Sequence, residues 1–343
     1  MSTSNRFHFL DSLRGFAIAG ILLVNAADLM CLGHDVPVRP FQTIPLAENV
    51  LNFLVATRFV PIFSFMFGMS MGFVIDSAIR RGAPAWKILL RRLAALLVIG
   101  LLHSILYPGE ILRDYAVVGA ILLPFVLKVP RSVRLVLGLL ATVGAYAFTG
   151  GGELSLPGLF LLGSAAQAYG LPARLEHADR RIGAATLVFA AASAAAIPWQ
   201  AAEGGDPRFF TGGAAGGLMA CLYVCLLALL WRTPVRRALS AVFEPLGRMA
   251  LTCYVTASFV MVPAGVLLDS RSTQDVIPGL IVAAAVLPLQ WVFCRLWLSR
   301  FAYGPLEWVW RCITWWRWIP LQRPQSKRLD PVSSAPTTTD GIA

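Results

Sequence analysis

At 343 residues, 57% hydrophobic and 14% charged, with a mean hydropathy of +0.69, the chain is too apolar for a water-soluble protein of its size. A net charge of +11 would point to nucleic acid in a soluble protein; here the basic residues sit between long apolar runs, which excludes a nucleic-acid partner and points to membrane lipid. The cysteines Cys31, Cys221, Cys225, Cys253, Cys294 and Cys312 lack metal-ligand spacing, so they are expected to be small apolar residues, with neither a metal site nor a disulfide framework.

Hydrocarbon cannot satisfy unpaired backbone amides, so apolar runs of about 20 residues are expected to cross as helices. The fold expected is all-α, a polytopic bundle of about ten spans near 15–33, 50–76, 93–107, 115–127, 135–149, 157–171, 183–199, 214–231, 249–268 and 277–298.

The first run is read as a retained helix and not a secretory signal, because Asp11 precedes it and no small-x-small cleavage site closes it. In "RFHFLDSLRGFAIAGILLVN", Asp11 and Arg14 stand three apart at the helix start and are expected to pair. Arg14 with Arg6 would otherwise offer guanidinium groups to a phosphorylated ligand. Asn25 follows within the run, and His34 beside Asp35 in the first connection.

The second run holds Arg58, a charge that needs an acid; Glu110 or Asp114 is the expected partner. Its stretch "FSFMFGMSMGF" places Ser64, Gly68 and Gly72 four apart, the small-xxx-small pattern that lets helix backbones approach closely.

The third run closes as "GLLHSILYPGEILRDYA". Gly100, His103 and Tyr107 fall on one helical face, with the glycine leaving room beside the ring. Pro108 and Gly109 then turn the chain so that Glu110 comes back toward His103. A carboxylate beside an imidazole fixes its tautomer and stabilises imidazolium, as a general base taking a hydroxyl or amine proton requires. His103 and Glu110 are therefore the candidate catalytic pair, with His34 as the rival imidazole. Asp11, Arg14, Asn25, Arg58, Tyr107 and Tyr115 are the candidate substrate-binding residues.

Charge sorts the connections. One alternating set carries fifteen basic residues: Arg80, Arg81, Lys87, Arg91, Arg92, Lys128, Arg131, Arg134, Arg174, Arg180, Arg181, Arg232, Arg236, Arg237 and Arg248. The other holds four: Arg39, Arg113, Arg208 and Arg271. This asymmetry places both termini in the cytoplasm. "GPLEWVWRCITWWRWIP" suits the headgroup region, where indoles and guanidiniums are favoured, and closes a single bundle domain over 1–320. The polar, proline-bearing segment 321–343 is expected to be a disordered cytoplasmic tail.

The stretches "LDSLRGFAIAGILLVN", "FSFMFGMSMGF", "GLLHSILYPGEILRDYAVVGAILLPF", "GRMALTCYVTASF" and "YGPLEWVWRCIT" resemble the successive signatures of the YeiB-like family of bacterial inner-membrane proteins, over residues 6–314. The resemblance implies a multi-pass protein of the cell inner membrane. Where that family has Gly-Asp-Ile-Leu this chain has Gly109-Glu110-Ile111-Leu112, and Cys253 stands where asparagine is expected.

Through its Asp-x-x-Arg-Gly first helix and its helix count the family is similar to the clan of membrane acyltransferases. That clan includes surface-polysaccharide O-acetyltransferases and the lysosomal heparan glucosaminide N-acetyltransferase. The likeness implies acyl-CoA as co-substrate, an essential histidine, and an acceptor hydroxyl or amine on a lipid, glycan or small metabolite. The clan's histidine lies in or just after the first helix, which favours His34; the YeiB-like blocks match at His103. An acyl-CoA-dependent acyltransferase is the expected function. A transporter of a small anionic solute using Arg58, and a non-catalytic partner of other membrane helices, are the alternatives.

Overall fold

A computed structural model describes residues 6–37, 44–177, 180–207 and 209–322. The expected disordered tail lies outside the described residues from 323 on, as do Arg39 and Arg208 of the sparsely charged set. The described chain is α-helical apart from short 3-10 turns and an isolated bridge between Phe301 and Gln322. Its helices are α1 (His8–Leu29), α2 (Leu46–Leu54), α3 (Phe59–Arg80), α4 (Ala85–His103), α5 (Leu112–Lys128), α6 (Arg131–Thr149) and α7 (Leu156–Ala168). There follow α8 (Leu171–His177), α9 (Arg180–Ala202), α10 (Phe210–Leu230), α11 (Arg236–Arg248), α12 (Ala250–Leu267), α13 (Ile277–Arg300) and α14 (Pro305–Trp315).

Among the described residues, seven segments are long and apolar enough to cross a membrane: α1, α2 with α3, α6, α9, α10, α12 and α13. Counting α7 with α8 as one bent span makes eight. The surface agrees with a lipid exterior. Over its most apolar stretch α6 has a mean hydropathy of 1.5 and is only 6% buried, with Leu139, Leu140 and Val143 facing outward, a face that water would not tolerate. The other expected spans are helical but depart from the simple pattern. In α4, Lys87, Arg91 and Arg92 interrupt the apolar run; α5 has 17 residues; α7 has 13 and meets α8 at 74°.

The second apolar run is broken. Residues 55–58 leave helical geometry between α2 and α3, and Thr57 takes a left-handed φ of +65°, costly for a β-branched residue. The neighbouring α10 accommodates it: a side chain at Gly216 would collide with the Thr57 side chain.

Glycines also set the tightest helix contacts. A Cβ at Gly15 would strike the Phe243 carbonyl, and one at Gly247 the Asp11 carbonyl, so α1 and α11 cross backbone to backbone. Gly68 meets the Phe160 backbone and Gly72 the Gln167 side chain, which seats α7 on α3. Around these crossings Phe9, Leu13, Met69, Trp231 and Met249 form one core, while Phe67, Leu89, Tyr115 and Phe160 form a second.

The bundle has two chemically distinct ends. At one, the start of α1 meets α11, and the start of α4 meets α14 through the Trp310 indole N–H, which donates to the Arg92 carbonyl at 2.7 Å. This end gathers arginines and tryptophans. At the other, the loop after α1 is tied to the turn before α13: the Gly33 amide donates to Ser270 O and the Asp35 amide to Arg271 O, each at 3.0 Å. The Asp35 carboxylate accepts two hydrogen bonds from Arg271, both 2.8 Å.

Candidate functional site

His103 is the last residue of α4, and Glu110 lies just before the start of α5. A helix C-terminus favours a cation and a helix N-terminus an anion. The short turn between them therefore brings an imidazole from the negative end of one helix dipole against a carboxylate at the positive end of the next. Glu110 Oε2 lies 3.7 Å from His103 Nδ1, and both side chains are almost wholly enclosed. That distance is an electrostatic contact and not a hydrogen bond. The carboxylate instead accepts the Leu112 and Arg113 amides, each at 2.8 Å, so it also holds the first turn of α5.

Gly100 serves this approach differently from the sequence expectation. The space its missing side chain leaves is taken by Glu110 Oε1 and the Arg113 backbone, 2.7 Å from where a Cβ would sit, and not by the imidazole. The α4 helix ends at His103, before Pro108, and Tyr107 follows through a turn whose amide still donates to the His103 carbonyl.

The other ring nitrogen faces α12. His103 Nε2 is 2.9 Å from Ser258 Oγ, and the Tyr254 ring, one turn earlier, packs edge-on at 5.3 Å between centroids. Tyr107 also lies edge-on to His103, at 6.0 Å, and its hydroxyl donates to Asp28 Oδ2 at 2.6 Å. With the proton on Nδ1, facing Glu110, the Nε2 lone pair is available to a hydroxyl, the arrangement a general base needs. Among the described residues Nδ1 has no hydrogen-bond partner.

Ser258, Tyr254 and Tyr107 line a cavity of about 10 Å³ between α1, α12 and α13, with Asn25 and Gln290 as its other polar walls. Such a volume holds roughly one water molecule. A larger cavity of about 150 Å³ lies between α1, α2 and the start of α13, walled by Leu23, Leu51, Val55 and Leu280 with Glu48 and Asn52. Among the described residues no group of three histidines, cysteines or carboxylates is placed to hold a metal ion.

The candidate residues from sequence divide accordingly. His103, Glu110, Tyr107 and Asn25 come together. His34 is exposed in the loop after α1, beside the Asp35–Arg271 pair. Asp11 pairs with Arg14 at 3.4 Å and with Arg6 at 2.6 Å at the other end of α1, about 20 Å of helix away from Asn25. Tyr115 is a core residue: its hydroxyl meets Ser64 Oγ at 2.6 Å and its ring is enclosed by Phe63, Phe67 and Phe160.

Arg58 does not pair with Glu110 or Asp114 as expected. Its guanidinium, wholly buried, donates to Ala56 O at 2.6 Å, Thr57 Oγ1 at 2.9 Å, Gln200 Oε1 at 2.8 Å and Gly212 O at 3.4 Å. The break before α3 turns it toward α9 and α10, and neutral oxygens solvate the charge. Asp114 lies instead 3.6 Å from Arg113.

Asp28, Ser258, Tyr254 and Gln290 are site residues that the reading of ionisable groups passed over. Asp28 carried a signal, a carboxylate inside an apolar run three residues after Asn25. Ser258 carried none, because a helical serine usually satisfies itself on its own backbone.

The model of a family described as a protein of unknown function, DUF418, matches residues 171–317, which includes α12 and its Ser258. The uncharacterized 39.9 kDa protein in the amylase 3′ region of Bacillus acidopullulyticus is 30% identical over 342 residues, covering 94% of this chain and 97% of that protein. The uncharacterized protein YxaH of Bacillus subtilis strain 168 is 28% identical over 392 residues, with coverage of 94% and 97%. No solved structure matches. A relative 30% identical across 94% of this chain and 97% of its own length, together with the match over residues 171–317, makes this chain a member of the DUF418 family.

Proposed function

We propose that this protein is a membrane acyltransferase in which His103 is the general base, Glu110 stabilises its cationic form, and Ser258 holds Nε2 unprotonated. One observation carries the reading: a buried imidazole has a carboxylate 3.7 Å from Nδ1 and a hydroxyl 2.9 Å from Nε2, and the hydroxyl lines a cavity. Ionisable side chains within an apolar bundle are costly to hold there and mark functional sites.

In the proposed reaction His103 Nε2 takes the proton of an acceptor hydroxyl or amine. The acceptor heteroatom bonds to the acyl carbonyl carbon of a thioester, the carbon–sulfur bond breaks, and the imidazolium returns its proton to the leaving thiolate. The donor class, acyl-CoA, rests on the resemblance to the acyltransferase clan. The cavity beside Ser258 holds about one water, so either substrate enters when α1 moves away from α12 and α13.

The same proposal sets the chain in the inner membrane as ten passages with both termini in the cytoplasm, supported by the fifteen-to-four charge asymmetry. The donor then enters at the arginine-rich end and the acceptor meets His103 near the opposite one. Export of an anionic solute has less support, since Arg58 is enclosed by four neutral oxygens.

Mass comparison of lipids and glycans from a deletion strain, its complement, and a strain complemented with the His103→Ala protein tests the reading. One species heavier by an acyl unit is expected in the complement alone. Identical profiles in all three strains overturn the proposal.

A further inference from the structure

We propose that the arginines at the junction of α3, α4 and α14 form a phosphate-binding site whose occupant is the headgroup of an anionic phospholipid. This site is independent of the chemistry at His103.

Four guanidiniums at this end lie over aromatic rings: Arg92 over Trp310 at 3.6 Å, Arg81 over Trp315 at 4.2 Å, Arg311 over Tyr303 at 4.9 Å and Arg91 over Trp316 at 5.2 Å. They share one field. Arg81 is within electrostatic reach of Arg80, Arg311 and Arg317, and Arg92 of Arg14 and Arg311. Among the described residues, no carboxylate lies within 4.0 Å of Arg81, Arg91, Arg92, Arg311 or Arg317.

The nearest acid in sequence to Arg311, Glu307 one turn earlier, is turned away. It accepts the Thr252 amide at 3.0 Å and the Thr252 hydroxyl at 2.6 Å, closing the start of α12. Like charges drawn together without acids repel, and the fold keeps them together all the same.

Stacking explains how they are held and what they remain free to bind. A guanidinium lying on a ring keeps its N–H donors in the plane, available at its edges. Arg92 donates to Ser70 Oγ at 3.2 Å, while Arg311 Nε is buried without a hydrogen-bond partner among the described residues. Planar forks fixed in place, with unused donors, fit the oxygens of a phosphate group.

The surroundings favour a lipid over a soluble phosphate. Trp316 and Trp318 are 72% and 80% exposed beside the cluster, with Val309 and Ile313 exposed on α14. An indole-rich helix with outward apolar residues sits at the headgroup–acyl boundary, where the phosphates of anionic lipids lie.

The test uses the full-length protein, purified in detergent and then placed in nanodiscs of phosphatidylcholine with or without phosphatidylglycerol. Native mass spectrometry reads retained phosphatidylglycerol, and calorimetry reads binding of pyrophosphate. The Arg81→Gln/Arg311→Gln protein is expected to retain phosphatidylglycerol about tenfold less well than the parent, the size of losing a charge-assisted hydrogen bond. Arg236→Gln, which removes an arginine stacked on Trp231 and paired with Glu176, is expected to leave retention unchanged.

Arg81→Lys/Arg311→Lys keeps the charge and loses the forks, so it covers the case in which the glutamine variant does not fold; intermediate retention is expected. Pyrophosphate binding weakened by these substitutions, without lipid retention, upholds the phosphate site and makes its source soluble. Equal phosphatidylglycerol retention by parent and variants, or no binding of either probe by the parent, overturns the proposal.

Discussion

Glu110 faces His103 across 3.7 Å, yet its hydrogen bonds go to the amides of Leu112 and Arg113. One carboxylate thus secures the start of α5 and sets the charge beside the imidazole. The two roles separate on substitution. Glu110→Ala should destabilise the protein by about 1–2 kcal/mol through the lost helix-end acceptor. Glu110→Gln keeps an acceptor and should cost less than about 1 kcal/mol, while transfer falls at least tenfold because the imidazolium loses its counter-charge. Thermal unfolding in detergent and an acyl-transfer assay give the two readings; parallel losses in both would leave Glu110 with a structural role only.

Removing the base should be more severe than removing its partner. His103→Ala should slow transfer 10²- to 10⁴-fold, about 3–5 kcal/mol of barrier. Ser258→Ala leaves the imidazole in place and should cost about tenfold. A loss at Ser258 equal to that at His103 would instead make Ser258 a nucleophile, detectable as an acylated protein by mass spectrometry.

Two glycines should respond with opposite sign. Gly247→Ala drives a methyl into the Asp11 carbonyl and separates α11 from α1, lowering stability by roughly 1–3 kcal/mol. Gly144→Ala, in the middle of α6 with nothing within 4 Å of the new carbon, should raise it by about 0.5–1 kcal/mol. Their melting temperatures in one detergent provide the comparison.

Arg58→Lys should cost about 1–3 kcal/mol, although the charge is kept. An ammonium cannot span Gln200 Oε1 together with the Ala56 and Gly212 carbonyls from the position of the fork. Denaturant unfolding checks this, and an unchanged midpoint would show that the neutral-oxygen shell is not what holds α3 against α9 and α10.

The hydrogen bonds from Arg271 hold the Asp35 carboxyl below the usual carboxylate range. Its folded value is lowered, so the tie between the two loops is fully present above the ordinary carboxylate pKa and is lost as pH falls through the lowered one. Both partners are exposed, and salt should weaken the pair. Titration of Asp35 followed by NMR should show its midpoint rise in Arg271→Gln.

What could be read before folding was local. The seven long apolar segments were legible because lipid demands length and composition that no neighbour has to supply. The approach of Glu110 to His103 was legible too, because a six-residue turn carries both groups and Pro108 and Gly109 limit its course. Ser64, Gly68 and Gly72 announced a close helix contact but not its partner, α7.

Relationships between distant positions were decided by tertiary structure. Ser258 reaches His103 across 155 positions, and Tyr107 reaches Asp28 across 79. The assignment of Arg58 to a carboxylate failed because a buried cation needs oxygen but not a particular kind of oxygen. The break at 55–58 determined that Gln200 and Gly212 would supply it. Sequence composition determines that seven of the described segments are long and apolar enough to cross a membrane, since that free energy adds up residue by residue. Which polar groups meet inside depends on helix packing, where small differences in crossing and rotation bring one helix face, and not another, to each side chain.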